Sequence, residues 1–161
     1  MLRIALLASV VAACGSGSAT PDGGGGVDAA TSAACQEATT YSNLATIEAK
    51  IFKTSCIFSG CHNGGASDAG KLDLRAGAAF AHLVNIDAKV EVGRKLVVAS
   101  DPAKSYLLLM LGQVAPQDAD PPTVAPPATI GFMPQGTGNQ RLCPEKRAAV
   151  ERWIMMGALD N

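Results

Sequence analysis

The chain has 161 residues, a net charge of -1 at pH 7 and 17% charged residues. That length suits one compact domain with an export segment and a linker. No basic stripe or aromatic-interleaved basic run is present, which argues against nucleic acid as a partner. Hydrophobic residues make up 48%, many of them alanine, and aromatics only 4%, so the core is thin for the length. A large apolar prosthetic group would fill that deficit, and so would a modest helical core without one.

The N-terminus reads as an export signal. Arg3 is followed by an apolar run from Ile4 to Ala13, too short for the roughly 20 residues a membrane-spanning helix needs. The run ends in Val11-Ala12-Ala13-Cys14 and is followed by Gly15-Ser16-Gly17, which resembles a bacterial lipobox. The resemblance implies a signal peptide over 1–13, lipid on Cys14, and a protein anchored by that lipid to a membrane of the periplasm or cell envelope. Cleavage near Ala13 with an incidental Cys14 is the alternative. Residues 15–34 are small and polar, with four glycines at 23–26, and cannot repay the entropy of ordering. The segment 14–34 is therefore expected to be a lipidated, flexible tether, and 35–161 the folded domain.

Within that domain the pattern predicts helices joined by long loops, an all-α single domain. Leu44, Ile47 and Ile51 at helical spacing mark a helix over 42–54, with Ser42 or Asn43 as its cap. Gly60, Gly64 and Gly65 then signal irregular backbone. A short helix over 76–84 carries Phe80, Leu83 and Val84. Asp101 as cap and Pro102 at the first helical position predict a third helix through Tyr106, Leu107, Met110 and Leu111, stopped by Gly112. The proline-rich residues 113–131 predict a surface loop in which Asp118 and Asp120 are solvated. The last helix starts at Pro144, with Val150, Trp153, Ile154 and Gly157 on the buried face and Lys146, Arg147, Glu151 and Arg152 facing water.

Apart from Cys14, four cysteines remain: Cys35, Cys56, Cys61 and Cys143. An exported chain meets an oxidising compartment, where free thiols do not persist. Four cysteines allow three pairings. The economical assignment gives the distant pair Cys35 and Cys143 to a disulfide and the close pair to a prosthetic group. A second disulfide, Cys56–Cys61, is the alternative.

Covalent haem attachment needs two thiols to add to the two vinyl groups, with a histidine beside the second. The segment Cys56-Ile57-Phe58-Ser59-Gly60-Cys61-His62 offers these groups, with four residues between the thiols instead of the common two. Downstream, Met133 lies between Phe132 and Pro134 in a glycine- and proline-rich loop, a stiff setting for a thioether ligand. Met110, Met155 and Met156 read as ordinary helix residues.

Further fragments follow the same order as in a known group. They are Ile51-Phe52-Lys53-Thr54-Ser55-Cys56 entering Gly60-Cys61-His62-Asn63-Gly64-Gly65, then Lys71-Leu72-Asp73-Leu74, then Val98-Ala99-Ser100-Asp101-Pro102 with Ser105-Tyr106-Leu107, then Met133-Pro134, and Trp153-Ile154 through Gly157-Ala158. From Leu44 to Asn161 the chain resembles the cytochrome-c-like domains of secreted lipoproteins from deltaproteobacteria and planctomycetes. The resemblance implies a small cytochrome-c-like fold and one covalent haem c on Cys56 and Cys61. It implies His62 and Met133 as the axial ligands of the iron, and electron transfer with redox partner proteins rather than catalysis. The widened cysteine spacing departs from the usual motif.

Three other functions compete: a haem-free envelope lipoprotein stapled by Cys56–Cys61, a zinc site from Cys56, Cys61, His62 and His82, and a haem enzyme or gas sensor with an open distal face. His82 is also the alternative sixth ligand. No Ser/His/Asp set, phosphate loop or paired-carboxylate cluster points to hydrolysis or group transfer.

Overall fold

The computed structural model describes residues 32–58, 60–124, 130–135 and 141–161. The signal segment, Cys14 and most of the tether lie outside them. The described chain is helical, with isolated β-bridges and no extended strands. Among the described residues, no helix is long and apolar enough to cross a membrane.

Helix α1 spans Ala33–Glu37 and runs into a 3₁₀ turn at Ala38–Thr40. It takes in Ala33 and Ala34, which composition alone places in the linker, because the Ser32 side chain accepts from the Cys35 N–H and starts a helical turn.

The helix expected over 42–54 is observed from Leu44 to Ser55, as α2 (Leu44–Ile47), a π segment (Glu48–Phe52) and α3 (Lys53–Ser55). Its first four N–H groups are all satisfied. Thr46 and Ile47 donate to the side chain and carbonyl of Asn43 at 2.8 and 3.2 Å, and Leu44 and Ala45 donate to the side chain and carbonyl of Asn161 at 3.0 and 2.8 Å. The far end of the described chain thus caps the first long helix. In the π segment Glu48 turns inward, and both of its carboxylate oxygens accept from the Gly77 N–H at 3.1 Å.

Helix α4 covers Ala79–Leu83, shorter than the predicted 76–84. The chain then leaves helical geometry for a bridged ribbon that the pattern did not predict. Val84 pairs with Val97, Asp87 with Lys95, and Lys95 with Ser105.

That ribbon also resets the start of the next helix. α5 spans Tyr106–Leu111, not Asp101 onward, because the Tyr106 and Leu107 N–H groups donate to the carbonyls of Lys95 and Leu96 at 3.0 and 2.9 Å. Asp101 instead closes a turn by accepting from the Lys104 N–H at 3.1 Å. Gly112 ends α5 as expected, at φ 69°, a left-handed backbone that glycine adopts without strain. The proline-rich segment is irregular apart from a 3₁₀ turn at Pro116–Asp118, and residues 125–129 within it lie outside the described set. It is tied down where the Arg94 guanidinium donates to the Pro121 carbonyl and the Asp120 backbone N–H donates to the Ala103 carbonyl at 2.9 Å.

Helix α6, Pro144–Met155, starts at the expected proline. Its polar face differs from expectation. Lys146 is buried, and Arg147, Glu151 and Arg152 are half-buried instead of facing water. Long side chains lay their stems on apolar surface and carry their heads to backbone carbonyls left over at helix ends. Arg152 donates to Ala38 and Tyr41 at 2.6 and 3.0 Å, Arg147 donates to Gly112, and Glu151 accepts from Gln113 at 2.7 Å. Gly157 is only half-buried, whereas Ala158 joins the core.

The main core gathers Leu44, Ile47, Ile51 and Phe52 from the first long helix, Leu83 from α4, Leu107, Leu108 and Leu111 from α5, and Val150, Trp153 and Ile154 from α6. A smaller cluster of Ala88, Tyr106, Leu109 and Met110 lies on the other side of α5. The predicted disulfide joins Cys35 in α1 to Cys143 at the head of α6, with both residues buried.

Candidate functional site

The chain leaves α3 at Ser55 and forms a closed loop from Cys56 to His62. The Cys61 N–H donates to the Phe58 carbonyl at 2.8 Å, and the His62 N–H returns to the Cys56 carbonyl at 3.0 Å. Gly60 makes the turn at φ 81°, which a residue with a side chain adopts only under strain. The hydrogen bond from His62 to Cys56 brings the two ends of the segment back toward each other. Ser67 buttresses this turn, donating to the Gly60 carbonyl at 3.0 Å and accepting from the Gly70 N–H at 2.9 Å.

His62 is held on three sides. Its N–H is fixed by Cys56, its carbonyl accepts from the Leu74 N–H at 3.0 Å, and its ring Nδ1 lies 2.8 Å from the Ala69 carbonyl. A carbonyl can only accept, so Nδ1 carries the proton and Nε2 keeps its lone pair. Burial pushes the His62 pKa below its ordinary value, and the Ala69 hydrogen bond pulls it back up in part. The ring is thus a neutral imidazole at neutral pH, with Nε2 as a σ-donor. A ring N–H donated to a backbone carbonyl is the support usual for metal-ligating histidines.

The segment that receives His62 is itself braced. Asp73 is buried, and Arg75 donates to it from Nε and Nη2 at 2.9 and 2.7 Å, so the guanidinium holds the carboxyl at a pKa of about 2. Gly64 lies against this pair, and a Cβ there would stand 2.5 Å from Arg75 Nη2.

Cys56 is a free thiol packed against the main core, and burial pushes its pKa up to about 12. Cys61 is buried, and Cys56 is not disulfide-bonded to it. The Cys56–Cys61 staple of the haem-free alternative is therefore not formed. Met133 lies where the two clusters meet, packed against both, and its N–H donates to the Met110 carbonyl at 2.8 Å. Cys56, Ile57 and Met133 thus line one core, with Leu72, Phe80, Val84, Leu96 and Val114 as the other partly buried apolar residues against it. His82 lies near the Asp73 carboxylate, whose pKa its charge helps to lower. The four residues of the zinc alternative do not converge. Among the described residues, the one group of three candidate donors is Cys35, Cys143 and Glu145, where the two sulfurs are bonded to each other.

No protein-family model, curated protein or solved structure matches the chain.

Sequence reasoning named Cys56, Cys61, His62 and Met133 as candidates and gave no sign of the groups that hold His62 and Met133 in place. The Ala69 carbonyl and the Leu74 N–H are backbone groups that no side-chain pattern announces. Asp73 and Arg75 carried a readable sign, an acid two residues before an arginine in a glycine-flanked segment. Lys146 was placed on the wrong face of α6.

Proposed function

We propose that this protein is an exported, lipid-anchored monohaem c-type cytochrome of cytochrome-c-like fold that carries electrons and performs no substrate chemistry. The observation that carries the reading is the Nδ1 of His62 at 2.8 Å from the Ala69 carbonyl, directly after Cys61 in a closed cysteine loop. It leaves Nε2 of a neutral imidazole to act as an axial ligand. The residues fit the group. Two cysteines stand at the ends of the loop, and Met133 supplies a soft thioether from a segment packed on the same core as Cys56. Haem bound there would supply a single-electron couple, with the thioether favouring the ferrous state and a comparatively high potential. The chain's own part is to fix the ligands so that little moves when the electron does. Leu74 and Cys56 hold the His62 backbone, Ala69 holds its ring, and Met110 holds the Met133 backbone.

The test is the optical spectrum of protein made in a host with cytochrome c maturation machinery. The expected ferric spectrum is low-spin, with a sulfur-to-iron charge-transfer band that Met133→Ala removes. A colourless protein refutes the reading. A wild-type ferric spectrum without the band transfers the sixth position to His82, and a band that survives in Met133→Ala transfers it to another methionine.

A further inference from the structure

Glu145 is oddly placed for an acid. It sits in the first turn of α6, two residues after Cys143, and one of its carboxylate oxygens lies within 4.8 Å of both the Cys143 and the Cys35 sulfur. Those two cysteines are 2% and 0% exposed, so the carboxylate meets a buried disulfide. Its Oε2 is itself buried and, among the described residues, accepts no hydrogen bond. A helix N-terminus favours an acid in its first turn, which accounts for the residue type but not for the buried, unpartnered oxygen. Such an oxygen costs stability, and a disulfide beside it offers no donor in return. Opened, the same disulfide is two thiols, and thiolates with a carboxylate are donors that zinc takes.

We propose that Cys35, Cys143 and Glu145 are a redox-gated zinc site, which holds one ion once a dithiol reductant has opened the disulfide and which then closes the domain's loop in its place. In the first step the dithiol is oxidised to its own disulfide and passes two electrons and two protons to the Cys35–Cys143 bond, leaving two thiols. In the second, zinc displaces the two thiol protons to solvent and binds both sulfurs and one carboxylate oxygen, with water completing the tetrahedron. Little movement is needed. At a zinc–sulfur distance of about 2.3 Å, two sulfurs on a tetrahedral ion stand about 3.8 Å apart. Side-chain rotation supplies that separation while the Cα atoms, 6.2 Å apart, stay where they are. The carboxylate oxygen is already beside the sulfurs. Cys143 caps the start of α6, where the helix dipole favours a thiolate. Zinc suits two thiolates with a carboxylate, whereas calcium and magnesium take oxygen donors. The ion joins α1 to α6 across the same 108 residues that the disulfide spans. None of the three residues takes part in the cytochrome reading, so the two stand or fall separately.

The test compares the wild-type full chain with Glu145→Gln and with the double variant Cys35→Ala/Cys143→Ala. Each is reduced under nitrogen with a phosphine, which gives the same two thiols without chelating zinc as a dithiol does. Zinc chloride is then titrated in against a chromophoric chelator, with circular dichroism and chemical unfolding run in parallel. Cys56, Cys61 and His62 are rival donors present in all three proteins, so the site is read as a difference. Reduced wild type is expected to bind one equivalent of zinc more than the double variant, and its unfolding midpoint to rise with zinc concentration. Glu145→Gln keeps both sulfurs and the oxidised fold. It should weaken that equivalent by at least the roughly tenfold that loss of an outer-shell partner already costs. Oxidised wild type should lack the equivalent altogether. An equal zinc count in reduced wild type and the double variant overturns the proposal, and so does an undiminished affinity in Glu145→Gln. If reduction unfolds the wild type, zinc that restores the folded spectrum in wild type but not in Glu145→Gln upholds the site, and zinc that restores neither overturns it.

Discussion

Removing the Cys35–Cys143 disulfide should cost a large part of the domain's stability. The bond joins residues 108 apart in sequence, so it closes most of the folded domain into one loop. In the chain-entropy model a loop of that size constrains the unfolded state by about 4.7 kcal/mol. A domain of this size is stable by only about 5–15 kcal/mol, so the loss is close to half of a mid-range value. The native interface does not vanish with the bond. Arg152 still ties α6 to Ala38 and Tyr41, and both sulfurs are buried, so two small alanines fit without crowding. The perturbation is Cys35→Ala with Cys143→Ala. Chemical denaturation followed by circular dichroism should show a midpoint shift equivalent to about 3–5 kcal/mol with the folded spectrum retained. A loss below about 1 kcal/mol would refute the staple as a major constraint.

Asn161→Ala removes the side-chain acceptor for the Leu44 N–H and should cost about 1 kcal/mol in the same unfolding assay, while Asn43 keeps the helix start in place. Asp73 should make stability fall in acid: its folded pKa of about 2 lies below the unfolded value, so its contribution is complete above the ordinary carboxylate pKa and disappears as pH falls through about 2. Asp73→Asn should flatten that limb of a stability-against-pH curve, and an unchanged limb would show that other carboxylates set it. Among the described residues the buried Tyr106 hydroxyl meets no partner at good hydrogen-bond geometry; burial first, and then the nearby Glu91, which Arg94 engages, raise its pKa. Tyr106→Phe should therefore leave the unfolding midpoint unchanged or raise it, and a loss above about 1 kcal/mol would reveal a partner for the phenol.

The features legible in the sequence were those written in local chemistry. Asn43 before an apolar periodic run, Gly112 after one and Pro144 at a helix head each specify their own geometry, and each was observed; the Cys35–Cys143 pair was legible by another route, economy among the cysteines. What was not legible depends on segments distant in sequence. Asp101 looks like a helix cap, but the carbonyls of Lys95 and Leu96 take the donors of Tyr106 and Leu107 and move the helix start. The bridges at Val84, Asp87 and Lys95 are too short to produce an alternating pattern. Lys146 and Arg152 read as solvent-facing because residue type says nothing of what a long stem covers. The site divides in the same way. Cysteine, histidine and methionine could be named from their identities and neighbours. The carbonyl that sets the His62 tautomer belongs to Ala69, whose side chain carries no trace of that role.

The most direct measurement is haem staining on a denaturing gel of the chain produced with cytochrome c maturation machinery. Covalent attachment through the cysteine loop predicts a stain that migrates with the polypeptide, persists in Met133→Ala and disappears when Cys56→Ala and Cys61→Ala are combined. An unstained wild-type band, with Cys56 still recovered as an alkylatable thiol in the peptide map, would contradict it.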